Sequence, residues 1–397
     1  MHYIFFILSL TLFSISSWAQ EEVVQGQVVD ASTGEKLPYV NIYVGEGKGT
    51  LSNEEGYFSI KVSANDVVQL SCVGYEKTTI KVKEMSAIIK LKPYTTMMKE
   101  VTVKAESIDK ILKRTIKKLQ HDYSRCDKWA RKYFFRTYSE TKEGCYIAEA
   151  FIQARSVVNL RSVGILNGIE GGCSGGGGNT LNLWNSNIHR LIEVAPMIYA
   201  SNSWKHSITP MGNHSRSQMF NDKSKNPQLD WHVCYNTRAQ NIQGADGKTI
   251  YKIEFTWKRN NPIYEIENLI WITGTAYVEA ETYRLLRFDG LVNNCMLYTG
   301  EPVSIPVDID FHLEYDYSKG IASVSHMAIK GGNPLTNCHV ILFAIEPDVK
   351  KTGNLKMSHD NMVTAIKQAG YDSSLWEKYD IVRRTKEEER IAFGTKE

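Results

Sequence analysis

The feature that most constrains this chain is a strict two-residue alternation. Val307, Ile309, Phe311, Leu313, Tyr315 and Tyr317 are interleaved with Asp308, Asp310, His312, Glu314 and Asp316. A helix would scatter those apolar side chains around its axis, whereas a strand puts them all on one face. Tyr251, Ile253, Phe255 and Trp257 repeat the pattern against Lys252, Glu254, Thr256 and Lys258. Alternation of this kind specifies antiparallel sheet with one face on a core and the other in water. Further strands are expected at Tyr133–Tyr138, Cys145–Val158 and Ile321–Ile329, the last after the turn Ser318-Lys319-Gly320. Leu269–Ala280 and Tyr283–Val292 read as a hairpin around Glu281-Thr282.

Two helices are expected beside these strands. Across Glu106–Tyr123, Ile108, Ile111, Leu112, Ile116 and Leu119 share one helical face. Lys110, Lys113, Arg114, Lys117 and Lys118 occupy the other, which reads as a solvated face. The second helix is expected over Met357–Gly370, with Gly370 as its stop.

Residues 1–19 have the pattern of a secretory signal. Ile4–Leu12 form an apolar core too short to span a bilayer, and Ser17-Trp18-Ala19 offers small residues to a signal peptidase. Cleavage there would leave Gln20 first. No later apolar run approaches ~18 residues, so no transmembrane segment is expected after signal cleavage. These features predict an exported protein, periplasmic or associated with the outer membrane. The chain carries 47 Lys and Arg against 44 Asp and Glu, and so little excess positive charge gives no case for a nucleic-acid partner. None of the seven cysteines forms a Cys-x-x-Cys pair, which removes support for thiol–disulfide exchange or a zinc ribbon. Cys126 and Cys145 are the first pair to test, with connectivity open.

Between residues 23 and 92, short strands alternate with turns at Ser32–Glu35, Gly45–Gly49 and Asn53–Gly56, the pattern of a β-sandwich. Gly34 and Gly56 sit where such turns need positive φ. Gly26-Gln27-Val28-Val29-Asp30, Thr33-Gly34-Glu35, Leu37-Pro38, Val40-Asn41-Ile42, Gly49–Phe58 and Val73-Gly74-Tyr75 together resemble the carboxypeptidase-regulatory-like domain. The resemblance implies a transthyretin-like sandwich of seven strands, used as a spacer or docking module. A zinc carboxypeptidase is excluded, because none of the ten histidines is followed three residues on by Glu.

Met98–Ala105 resembles the segment joining that domain to the plug in TonB-dependent transporters of the starch-utilisation type. No plug or barrel pattern follows, so a final strand and a linker are expected here. Leu112-x3-Ile116, Tyr133–Thr137, Glu149-Ala150 and Tyr371–Asp380 resemble an uncharacterised region that follows the regulatory-like domain in short secreted envelope proteins. The expected fold is therefore mainly β. A signal occupies 1–19, a transthyretin-like sandwich 20–93 and a linker 94–105. An α+β domain with a curved, half-barrel-like antiparallel sheet occupies 106–397.

Candidate chemistry is sparse. Gly172-Cys173-Ser174-Gly175-Gly176 satisfies Gly-x-Ser-x-Gly, but a nucleophile elbow needs a strand before and a helix after, and glycine-rich chain lies on both sides. The same stretch lacks the spacing of a phosphate loop. Asp308, Asp310, His312, Glu314 and Asp316 form an acidic stripe whose members stand about 7 Å apart. Two of them with His326 could hold a divalent cation or act as an acid–base pair; a solvated face is the expectation. Trp184, Trp204 and Trp231 lie in irregular sequence suited to a binding surface, whereas Trp271 is expected to pack. The sequence thus assigns no catalytic residue, no metal ligand and no cofactor. It predicts a non-enzymatic binding or scaffolding protein with envelope proteins, glycan or lipid as partners. A carrier of hydrophobic ligands in the half-barrel, or a hydrolase at Ser174 or the stripe, is the alternative.

Overall fold

The computed structural model of the chain describes residues 21–45, 48–94, 107–125, 129–141, 144–155, 163–171, 235–244, 247–258, 271–296, 306–333, 336–347, 349–350 and 362–393. The signal, most of the linker, Ser174 with its glycines, and Trp184, Trp204 and Trp231 lie outside the described residues.

The first seven strands are β1 (Glu21–Asp30), β2 (Asn41–Val44), β3 (Gly49–Leu51), β4 (Tyr57–Ser63), β5 (Val67–Ser71), β6 (Thr78–Lys81) and β7 (Ile88–Leu91). They form one sheet ordered β4-β1-β7 and another ordered β3-β2-β5-β6. Alternate residues turn inward, so that Phe58, Ile60 and Val62 meet Val28, Ile42, Val68 and Leu70 in a closed core. This is the mainly β sandwich that the turn spacing implies. Gly34 (φ 77°) and Gly56 (φ 76°) take the left-handed turn positions expected of them. A side chain at Gly56 would also strike the Val28 carbonyl at 2.7 Å.

Helix α1 (Ile108–Arg125) follows, then β8 (Trp129–Thr141), β9 (Gly144–Arg155), β10 (Val163–Gly171), β11 (Tyr235–Gln243), β12 (Thr249–Trp257), β13 (Trp271–Glu279), β14 (Leu285–Met296), β15 (Pro306–Asp316), β16 (Ser323–Asn333), β17 (Thr336–Ala344) and β18 (Val349–Lys350). They build one antiparallel sheet ordered β10-β9-β8-β17-β16-β15-β14-β13-β12-β11, with β18 added beside β8. The sheet does not close into a barrel. Its register shifts at Ile165/Asn167, Tyr277/Val278, Val292/Cys295 and Glu314/Tyr315, the places where a strand can bend. Gly274 and Gly290 face each other across β13 and β14, and the Phe311 ring fills the space over Gly290.

One face of this sheet is apolar and buried, carrying Tyr133, Phe135, Phe255, Phe288, Leu313 and Leu342. In α1 the expected apolar stripe is buried at Ile111, Leu112 and Leu119, while Lys110, Lys113, Arg114 and Lys117 are exposed. Arg114 reaches the Tyr283 hydroxyl in the β13–β14 turn, and Asp122 accepts from the Ala322 amide before β16 at 3.2 Å. Eight helical residues span about 12 Å, enough to bridge two strand spacings. Cys145 is disulfide-bonded; Cys126 lies outside the described residues.

The chain ends on α2 (Met362–Ala369), α3 (Ser373–Lys378) and α4 (Lys386–Phe393). Gly370 (φ 68°) stops α2, as its position predicted. Asp372 caps α3 by accepting from the Ser374 amide. Thr385 and Glu388 cap α4 reciprocally, the Glu388 carboxylate taking the Thr385 amide at 2.8 Å and Thr385 Oγ1 the Glu388 amide at 3.1 Å. Between α3 and α4 the chain runs as a strap between the sandwich and the sheet. Asp380 accepts from the Lys61 amide, and Thr50 donates to the Ile381 carbonyl.

Candidate functional site

The polar face of the large sheet departs from the sequence expectation. Asp308 and Asp310 are exposed and Asp316 is half-buried against Arg131. His312 and Glu314, however, are only 6% and 8% exposed, and His326 is 0% exposed. The solvated stripe is corrected to a stripe half covered, and the cover is the sandwich. Asn41 Nδ2 donates to Glu314 Oε1 at 3.3 Å, and the Tyr39 ring lies 4.9 Å from that of His312. Tyr39 holds φ 58°, a left-handed value costly for a side chain of its size.

Strand register explains the grouping. Glu314 on β15 pairs directly with His326 on β16 and Arg287 on β14; two residues back, His312 pairs with Asp289. Paired residues share a face, so five chemically active side chains converge. His312 Nε2 and His326 Nε2 are 2.8 Å apart with nearly parallel rings. His326 Nε2 stands 3.5 Å from Glu314 Oε2. His312 Nδ1 donates to Asp289 Oδ1 at 2.5 Å, and Asp289 Oδ2 accepts from Arg287 Nε at 2.7 Å. Arg287 also donates to Cys72 Sγ and the Val73 carbonyl, tying the group to the sandwich.

Burial dominates the electrostatics. It pushes the Glu314 carboxyl up to about 8 despite Arg287. Burial also lowers His312 and His326, with His312 adding to the effect on His326. Asp289 goes the other way: burial opposes its charge, but Arg287 and His312 bring it to about 2. The group is therefore an ionised Asp289–Arg287 pair beside neutral imidazoles, with His326 donating to the lone pair of His312 Nε2. It can hold a proton or a cation. The bulge at Glu314/Tyr315 leaves Ser325 unpaired next to His326.

A second buried network lies two strands away. Arg136 donates to Glu149 Oε1 at 2.6 Å, Glu388 Oε2 at 3.2 Å and the Val382 carbonyl at 2.6 Å. Arg384 donates to Glu149 from the strap at 3.0 Å. His339 links this network to the sandwich, standing 3.8 Å from Glu388 Oε1 and 3.4 Å from Glu54 Oε1. Glu54 also pairs with Lys330 and accepts from the Tyr39 hydroxyl. Beside it, Leu51 of the sandwich inserts among Phe134, Phe151, Ile341 and Val382.

Sequence reading had allowed any two members of the stripe to join His326, of which the structure selects His312 and Glu314. It missed Asp289 and Arg287, although Arg287-Phe288-Asp289 repeats the alternation of its neighbour. It also missed Arg136 and Glu388; the Thr385-x-x-Glu388 spacing was the available signal for the latter.

These features define a mainly β protein in which a small sandwich closes over the polar face of a large open sheet. Residues 24–103 match the family model of the CarboxypepD_reg-like domain, in agreement with the resemblance carried by Gly26–Tyr75. Two solved structures are similar to the chain. One is a DUF1329 family protein from Desulfovibrio piger, at 12% identity over 64% of this chain and 98% of that one, with TM-score 0.20. The other is an outer membrane lipoprotein-sorting protein domain from Vibrio parahaemolyticus, at 8% identity over 64% and 99%, with TM-score 0.20. No curated protein matches the chain.

Proposed function

We propose that this chain is an exported, non-enzymatic binding or scaffolding protein of the cell envelope, in which sandwich and sheet form one continuous platform. The export signal pattern supports the location, and no helix among the described residues is long and apolar enough to cross a membrane. One observation carries the role. Where acid–base side chains collect, the polar face is covered by Tyr39 and Asn41 of the sandwich, so His312, His326 and Glu314 meet other protein groups and not a substrate. Polar chemistry on this face joins layers. Partners would be taken on the outer surfaces, as envelope proteins, glycan or lipid headgroups.

The test is native mass spectrometry of the mature protein gently isolated from its own envelope, paired with crosslinking in intact cells. The platform reading expects no bound acyl chain and crosslinks to a small, reproducible set of envelope proteins. A stoichiometric acyl ligand would overturn it in favour of a carrier.

A further inference from the structure

We propose that His312, Glu314 and His326 form a binding site for one divalent transition-metal cation of the zinc class. This goes beyond the platform reading and stands or falls separately. His312, His326 and Glu314 each offer one ligand atom, and these atoms lie within 4.8 Å of one another. Two imidazoles and one carboxylate are a donor set that zinc and its neighbours accept.

Three further observations point to a cation. Glu314 is more than nine-tenths buried, and its Oε2 has no hydrogen-bond partner although Oε1 is held by Asn41. That free oxygen stands on the side of His326 Nε2. The Asp289 carboxylate fixes the proton of His312 on Nδ1, which aims the Nε2 lone pair into the cluster. A carboxylate bonded to the outer nitrogen of a ligating imidazole is the usual orienting device at metal sites. Finally, the three ligands sit on adjacent strands in fixed register, two of them alternate residues of β15.

Two of the three spacings agree with an exchange of proton for metal, and the third, between His312 and Glu314, is within 4.8 Å. Tetrahedral ligands about 2.0–2.1 Å from zinc stand roughly 3.3 Å apart. Glu314 Oε2 and His326 Nε2 are already 3.5 Å apart. The two Nε2 atoms, 2.8 Å apart around a shared proton, need to open by roughly half an ångström when a cation takes its place. A cleft lined by Asn41, Thr50, Arg131, Ser325 and Phe343 lies beside the group, Asn41 bonding Glu314 and Ser325 adjoining His326. Bound metal would clamp β15 to β16 directly beneath the sandwich residues Tyr39 and Asn41.

The experiment titrates Zn2+ into the metal-depleted mature protein, with calorimetry for stoichiometry and thermal denaturation as a second readout. One Zn2+ per chain and a raised melting temperature are expected. Glu314→Gln, close in shape but uncharged, should weaken binding at least 100-fold and abolish the thermal shift. Asp289→Asn keeps all three ligands and should lose 10–100-fold through misorientation of His312. It carries the test if Glu314→Gln fails to fold by circular dichroism. No binding to the wild-type protein, or equal affinity in folded Glu314→Gln and Asp289→Asn, would overturn the assignment.

Discussion

Replacing Arg136 by Met tests whether the strap is held to the sheet by charge. Arg136 is 1% exposed and its guanidinium serves three acceptors, Glu149, Glu388 and the Val382 carbonyl. The partners do not suffer equally. Glu149 keeps Arg384, while Glu388 Oε2 keeps only the Thr385 amide and its Oε1 already lacks a hydrogen bond. Met fills much of the vacated volume, so the loss is chiefly one uncompensated buried carboxylate and one orphaned carbonyl. Breaking a buried ion pair from one side costs ~3–5 kcal/mol, and Arg136→Met should fall in that range. With a urea dependence of about 3 kcal/mol per molar, the unfolding midpoint should drop by roughly 1–1.7 M. Adding Glu388→Gln removes the stranded charge and should recover at least about 1 kcal/mol, read from a double-mutant cycle. A single-variant loss below about 1 kcal/mol, or no recovery in the double variant, would refute the reasoning.

Leu51→Ala should cost ~2–5 kcal/mol, because Leu51 is fully buried among side chains of the large sheet and the strap; a surface-like loss under 0.5 kcal/mol in urea unfolding would mean that the sandwich is not seated there. Gly290→Val should destabilise strongly, since its Cβ would stand 2.3 Å from the Thr273 carbonyl and 2.9 Å from the Phe311 ring; thermal unfolding checks this. Acid should weaken the sandwich through Asp30. Hydrogen bonds from Ser32, Thr33 and the Tyr75 hydroxyl outweigh burial and hold its carboxyl at about 2. A depressed folded pKa stabilises above the unfolded value near 3.9, and that contribution fades between about pH 5 and pH 2. Asp30→Asn should therefore flatten stability against pH in that window, and an unchanged profile would count against it. Glu149 behaves alike: burial opposes its charge, yet Arg136 and Arg384 lower its pKa, so its share of stability is also lost on acidification.

Much of the fold was legible because period-two patterns survive in the sequence wherever one strand face is apolar. β12, β13, β14, β15 and β16 stand where the alternation put them, within a few residues at their ends. The strands that escaped notice lack that contrast. β11, Tyr-Asn-Thr-Arg-Ala-Gln-Asn-Ile-Gln, lies at a sheet edge and is largely polar and exposed, with Ile242 its buried apolar residue. β17 ends in Val-Ile-Leu-Phe-Ala because both its faces are covered, His339, Ile341 and Phe343 by strap and sandwich, Val340 and Leu342 by the apolar core. The charged Thr385–Glu397 tail hid α4, whose capping pair is local but whose Glu388 is consumed by a residue 252 positions away.

What the sequence determined by itself was which side chains share a face. Alternation is a property of neighbouring residues, so His312 and Glu314 had to point the same way whatever lay opposite. What covers a face is not a neighbour property. That Tyr39 and Asn41 lie over those two residues follows from contacts more than 270 positions apart. Strand register, likewise a non-local choice, set Asp289 and His326 on either side of them. Burial then turned a stripe that water would have solvated into neutral imidazoles, a raised Glu314 and an ion pair, because only the tertiary structure decides where water is excluded.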